Sequence, residues 1–405
     1  MTGLLCTVLL YAHVSLQDAQ VDALAISPDV AIARGKVAEA QALYDQARAT
    51  YGPAVMANYA QSPQAGPTNV STVEQRLTTV GASWTLGDLF AYAPAIAQAN
   101  AALQSARLSL NDAERNEQVS VISAYYSALG AQAAQNARTQ ELAAANAELR
   151  AANLRLSAGD APRLDVVRAT VAVASAQADL ARAQADTDTA AATLAAETGL
   201  PVTSFETTVL SQSEIPPLTT SANDAIQIAL TRRPDVAAAR ENVAAEEHAV
   251  GVARRGGWPL VTLTGGYTTG VDTGIHVSGA SATVDVSLPV TGAAHERVLA
   301  EEARLTQAQA QLAKLERSVR LEVGATVRDY QAQSVALTAS QRALQGAQAE
   351  FAATQIGYRS GAVSSLDVEA ARTTYVQALV NEISALYAQA KARAALNLVL
   401  GQPIA

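Results

Sequence analysis

Two stretches decide the reading of this chain: Ser15–Arg34, SLQDAQVDALAISPDVAIAR, and Ser221–Arg240, SANDAIQIALTRRPDVAAAR. They align without a gap as far as Pro53 and Pro259. The identities include Asp18/Asp224, Ala23/Ala229, Leu24/Leu230, Pro28/Pro234, Asp29/Asp235, Val30/Val236 and Arg34/Arg240. A second echo closes each half. AGDAPRLDVVRA around Gly159 matches SGAVSSLDVEAA around Gly361, and the match runs on to the pairs Gly199/Gly401 and Pro201/Pro403. A repeat of about half the chain points to two copies of one large supersecondary unit rather than a short-period solenoid. Two similar but unequal halves suit a pseudo-symmetric building block of a symmetric assembly.

Composition narrows the class. Aromatic residues make up 4% of the chain, with three Phe and two Trp, which is poor material for a thick globular core. Alanine dominates, with Gln, Glu, Arg and Leu between, a mixture that favours long helices because Ala loses no side-chain entropy on helix formation. A net charge of −9 argues against a nucleic-acid partner, which selects a basic stripe. The single cysteine, Cys6, excludes an intrachain disulfide and a cysteine metal cluster. The opening LLCTVLLYA reads as a leader-like apolar segment over residues 1–14. No run reaches the roughly 18–20 apolar residues of a membrane helix.

Each half reads as helix, two strands, long helix, turn, helix. The first repeat covers 15–202 and the second 221–403, with a linker at 203–220. The opening helix runs from about Ser15 to Thr50, with Pro28, like Pro234 in the other copy, forcing a kink or a restart. Strands are expected at about 53–62, 76–88, 259–270 and 280–290. Val80, Ala82, Trp84 and Leu86 alternate with small or polar residues, as do Val261, Leu263 and Tyr267, and again Val284, Val286 and Leu288. Period two over about ten residues marks an outer-membrane strand, and it equally marks a half-buried strand of a soluble sheet. QSPQAGPTNVST and TTGVDTGIHVSGAS read as exposed loops. Long helices follow at about 94–157 and 293–358, where some 60 residues span about 90 Å. The second carries a heptad, Val298, Leu305, Leu312 and Val319, with Ala308 and Leu315 at d-like positions. Tip turns at 158–163 and 359–365 lead into helices 164–198 and 366–399.

The expected architecture is therefore mainly α with a four-stranded membrane β portion. Four strands cannot close a barrel, and bare edges are not tolerated in lipid. The barrel must be shared between chains: two chains supply eight strands and three supply twelve.

These features resemble the TolC-like outer-membrane factor family. The resemblance rests on the ALxxxPDVxxAR starts, the run RRPDVAAAR…GVARRGGWPLVTLTGGY, the DVSLPVTG step and the paired GxxxxLDVxxA turns. The RPDV–P–L–T pattern is most similar to members serving resistance–nodulation–division pumps. It implies a homotrimer with a shared twelve-stranded barrel in outer-membrane lipid and a long α-helical barrel in the periplasm. The function implied is the passive exit duct of a tripartite efflux system, with a periplasmic adaptor (membrane fusion) protein and an inner-membrane pump as partners. Type I secretion, or a periplasmic coiled-coil adaptor, is the alternative. Carried over by position, Asp165, Asp367 and Tyr358 are gate residues, and Gly159, Asp160, Gly361 and Ala362 are adaptor-docking tip residues. The arginine of the family's locking links falls near Val363 here, and a second acidic position is Ala370.

The same residues have plainer readings. Asp367 closes an S-x-x-D box with Ser364, and Asp165 sits in a first helical turn behind Pro162, so both suit helix caps. Gly159 and Gly361 supply left-handed turns. Trp84, Tyr267 and Tyr59 suit an interfacial aromatic belt or ordinary strand packing. His248, His276 and His295 lack helical partners and read as surface residues rather than metal ligands. No nucleophile motif or P-loop is present, so neither catalysis nor a cofactor is expected.

Overall fold

The computed structural model describes residues 15–50, 52–64, 73–159, 162–199, 215, 221–272, 275–288 and 292–403. The leader-like segment with Cys6, the 203–220 linker apart from Ile215, and Asp160 lie outside them. The chain runs α1 (Leu16–Ile26), α2 (Pro28–Ala49), β1 (Ala54–Gln64), β2 (Val73–Thr85), α3 (Leu86–Ala158), α4 (Arg163–Thr198), α5 (Ala222–Arg232), α6 (Pro234–Arg255), β3 (Leu260–Asp272), β4 (Ile275–Ser287), α7 (Ala293–Arg359) and α8 (Ser365–Val399).

The repeat is visible in backbone detail. α1 and α5 each have 11 residues, and α2 and α6 each have 22. Ser15 and Ser221 cap α1 and α5 identically. Each hydroxyl accepts from the N–H of the Asp three residues on, at 3.2 Å, and donates to that carboxylate at 2.7 Å. In each copy the opening helix restarts at its proline, one of the two outcomes expected there. The backbone leaves the helix at Ser27 and Arg233, and Pro28 and Pro234 start the next helix, where their missing N–H has no partner to lose. The turn glycines match too: Gly159, Gly199, Gly361 and Gly401 all hold positive φ.

The repeats are not the compact units. One unit comprises the described residues of Met1–Ala31, Asp112–Arg233 and Ser318–Ala405; the other comprises Ile32–Asn111 and Pro234–Arg317. Each draws on both copies, because each long helix contributes its N-terminal part to the second unit and its C-terminal part to the first.

The second unit holds the sheet, an antiparallel meander in the order β1-β2-β3-β4. β2 pairs with β3 across the repeat, with Val80 opposite Tyr267 and Trp84 opposite Leu263. TTGVDTGIHVSGAS is largely strand rather than loop, since β3 runs to Asp272, β4 starts at Ile275 and these two residues pair. Ladder hydrogen bonds rather than side chains hold this stretch. Its glycine even serves the pairing, because a Cβ at Gly270 would strike the carbonyl of Arg76 on β2. Leu288 lies one residue beyond β4 and outside the ladder. α3 begins at Leu86, earlier than expected, and carries Pro94 within its length.

In the same unit, α6 lies along the N-terminal part of α7, with Arg254 to Glu302 at 2.9 Å and Arg240 to Glu316 at 3.5 Å. Both are exposed pairs worth little individually. The heptad residues Val298, Leu305, Ala308, Leu312 and Leu315 are the half-buried stripe of this part of α7.

The first unit is helical. Ala19 and Ala23 of α1 pack with Val121, Ala124, Tyr125, Ala128 and Leu129 of α3, Leu194 of α4 and Tyr387 of α8. Alanine on one helix face lets the others approach closely enough to bury the large side chains. Arg115 of α3 donates to the carbonyls of Asn397, Leu398 and Gln402, closing the end of α8, while burial lowers its guanidinium from the usual value. The α7 stripe continues here, shifted by one turn after Val319. Val323, Tyr330 and Leu337 are buried, and Leu344, Phe351 and Tyr358 follow at seven-residue spacing. Such a stutter locally unwinds a heptad stripe and keeps it facing its neighbours.

Candidate functional site

Two surfaces are candidates for the functional site, and each is built from the repeat. The first is the sheet. On β2, Val80, Ala82 and Trp84 are exposed while Gly81, Ser83 and Thr85 are half-buried. On β3, Leu263, Gly265 and Tyr267 are exposed while Thr262, Thr264, Gly266 and Thr268 are sheltered. Ladder register joins these into rows. Ala57, Val80, Tyr267 and Ala280 form one row, and Trp84, Leu263 and Val284 another. Val284 and Val286 are exposed as well, and Val261, opposite Val286, is half-buried on the same face. The sheltered face is hydroxyl-rich, with Thr79 and Thr268 paired at 3.0 Å and Thr85 and Thr262 at 3.5 Å. A soluble sheet buries its apolar face and wets its polar one. The central strands β2 and β3 do the reverse, as strands facing lipid outside and water inside must, while β4 is exposed on both faces. No described helix is long and apolar enough to cross a membrane.

The second surface is the pair of turns in the first unit. Gly159 (φ +82°) ends α3 and Gly361 (φ +76°) ends α7, and nothing lies near where either Cβ would be. Their conservation of type between the copies therefore follows from backbone conformation and not from crowding. Gly159, Gly361 and Ala362 are all exposed.

The predicted gate residues divide. Asp367 is spent on its own helix. It accepts from the Ser364 N–H at 2.8 Å and the Ser364 hydroxyl at 2.7 Å, and its own N–H donates back to that hydroxyl at 3.3 Å. These bonds, the hydroxyl first, lower its carboxyl from the usual carboxylate value. Asp165 behaves differently, although it too sits in a first turn. The N-cap of α4 is Pro162, whose ring carries no hydrogen-bonding group. The Asp165 carboxylate instead accepts from Ser365 at the start of α8, at 3.1 Å, with Arg168 at 3.9 Å. It thus ties the first hairpin to the second. Tyr358 makes a further tie: its hydroxyl accepts from Arg155 of α3, whose guanidinium also lies 5.2 Å from the ring centre. Asp165 and Tyr358 line one cavity of about 340 Å³, together with Glu148, Arg155, Ser365 and Glu369.

Sequence reasoning missed Arg155, and it missed a charge cluster deeper in the unit. Arg372 of α8 is 5% exposed, yet it donates to Glu148 of α3 at 3.0 Å and to Glu369 of its own helix at 3.1 Å. Beside it, Arg138 pairs with Glu141 at 2.9 Å and approaches Asp179 of α4 at 3.8 Å. Burial raises the Glu369 carboxyl from its ordinary value, with Glu148 and Glu141 adding to the rise and Arg372 opposing it. The available signal was periodicity. Arg372 falls on the inward stripe Val368, Ala371, Val376, where a charge without a partner is not tolerated. Among the described residues no group of His, Cys, Asp and Glu is placed to hold a metal ion.

The comparisons agree with this geometry. The model of the outer membrane efflux protein family matches residues 20–200 and 225–402. No curated protein sequence matches the chain. Among solved structures, the transmembrane channel protein CusC is 20% identical with a TM-score of 0.81, covering 97% of this chain and 93% of its own. The outer-membrane channel OprN is 22% identical with a TM-score of 0.78, covering 96% and 90%. The open state of the Neisseria gonorrhoeae MtrE outer membrane channel is 20% identical with a TM-score of 0.78, covering 96% and 89%. At these identities the likeness speaks for the fold, and the family match spans nearly the whole chain. The chain belongs to the outer membrane efflux protein family and is an efflux channel of the outer membrane.

Proposed function

We propose that three copies of the chain form the exit duct of a tripartite efflux system, opened at its periplasmic tip by an adaptor and energised by an inner-membrane pump. The observation that carries this is the sheet: an apolar exposed face with bare edges on β1 and β4. Open edges in lipid cost several kcal/mol per unpaired group, so neighbouring copies must pair them. Twelve strands then enclose a hydroxyl-lined passage. At the other functional surface, the Asp165–Ser365 and Arg155–Tyr358 bonds hold the two hairpins of one chain together, which is the resting arrangement. Docking at the exposed Gly159 and Gly361 turns, with Asp160 and Ala362 beside them, shifts the population toward separated hairpins. Asp367 contributes charge at the tip rather than a tie, and a carboxylate there raises the local cation concentration.

Single-channel recording in planar bilayers tests the gate. Asp165→Ala and Arg155→Ala should raise open probability, and Asp367→Ala should lower cation preference without opening the channel. Unchanged conductance and selectivity in all three variants refutes the assignment. Gel migration before and after heating tests the assembly, and a detergent-extracted monomer contradicts it.

A further inference from the structure

Arg372 joins two hairpins that the gate must separate, and it does so from a buried position away from the turns. Its partner on α3, Glu148, and its partner on α8, Glu369, are two carboxylates sharing one guanidinium. Glu141 of α3 is close enough to act on Glu369, but its own cation is Arg138. The cavity beside Glu369 adds Arg155 of α3, Asp165 and Arg168 of α4, and Tyr358 of α7. Arg155 faces Tyr358 and Arg168 faces Asp165, so neither is given over to Glu369. Glu148 and Glu369 therefore share the one guanidinium that bonds them directly, while Arg155, whose bonding partner is the neutral Tyr358 hydroxyl, lines the same cavity.

We propose that the Arg372 cluster is a second, buried tie between the hairpins, and that the charge on Glu369 opposes it, so that acid holds the tip closed and neutral pH loosens it. The proposal rests on the gate reading above.

The direction follows from linkage. In the closed arrangement burial and the α3 carboxylates make Glu369 take up a proton more readily than in water. When α8 leaves α3, Glu369 keeps Arg372 on its own helix but regains water and loses Glu148 and Glu141 as neighbours. Its affinity for the proton falls back toward the ordinary carboxylate value. The closed form thus binds more protons between the ordinary and the raised value, and it loses ground to the open form as pH rises through that window. One proton per chain limits the effect to about tenfold per pH unit per chain. Glu369→Gln keeps an acceptor for Arg372 and removes the charge, so it should hold the tip shut at every pH.

The test uses the full chain with Cys6→Ser and spin labels on cysteines at the exposed positions Arg150 of α3 and Thr373 of α8. The distance between labels and the single-channel open probability are followed together across the window, in the parent protein and in Glu369→Gln. Expected is a longer distance and a higher open probability as pH rises in the parent, with both flat and low in the variant. A parent distance that ignores pH, or a variant that keeps the parent profile, overturns the tie. A distance that responds while current does not leaves the tie standing and refutes the gate reading. A current that responds to Asp165→Ala while the distance ignores pH does the opposite.

Discussion

Lysine placed at two neighbouring positions of β2 should have opposite fates. Val80 is 53% exposed and lies in the middle row of the ladder with Ala57, Tyr267 and Ala280. Thr79, one residue earlier, points to the sheltered face and pairs its hydroxyl with Thr268 at 3.0 Å. A lysine facing lipid at the bilayer midplane of a barrel costs about 2–4 kcal/mol per chain. That is roughly a 30- to 1,000-fold loss in the equilibrium for an inserted chain. Thr79→Lys forfeits one hydroxyl pair, about 1 kcal/mol, and leaves its ammonium in water. The yield of heat-modifiable oligomer in the outer membrane reads the difference. Val80→Lys should be strongly depleted and Thr79→Lys should stay near the parent level. Equal depletion, or greater loss for Thr79→Lys, would refute the assignment of the two faces.

Two further expectations are local. Gly361→Ala and Gly401→Ala both force a side chain into the left-handed region, at about 1–2 kcal/mol. Only at Gly401 does the new Cβ also meet backbone, 2.8 Å from the Arg232 carbonyl carbon, so its loss of thermal stability should be clearly the larger; equal losses would contradict the packing of α5 against the end of α8. Because Ser364 lowers the Asp367 carboxyl, that cap is fully present above the ordinary carboxylate value and is lost as pH falls through the lowered one. Ser364→Ala should move the titration of Asp367 upward and speed amide exchange in the first turn of α8, and an unmoved titration seen by carbon NMR would sink the capping account.

Several elements were readable because their cause is local. The cap at Ser364, the restarts at Pro28 and Pro234 and the left-handed turns at Gly159 and Gly361 depend on residues within one turn of themselves. The loop expected at TTGVDTGIHVSGAS failed for the converse reason. Its backbone is satisfied by a partner strand, and the close approach of Gly270 to Arg76 is set by residues far away in the chain. Arg155 was passed over because its partner, Tyr358, is on another helix. Asp165 and Asp367 look alike in their LDV motifs. Ser364 bonds one and Pro162 has nothing to bond the other, so Asp165 is free to reach Ser365.

The sequence by itself determined the duplication, the helix and strand types, the helix restarts and tip turns, and the family, because periodicity and local hydrogen bonding are carried by neighbours in the chain. Only the tertiary structure decided which face of the sheet is exposed, which of two equivalent aspartates ties the hairpins, and that Arg372 is buried between two carboxylates. Those outcomes depend on which distant side chains share a site, and burial sets the energy of a charge only once that sharing is known.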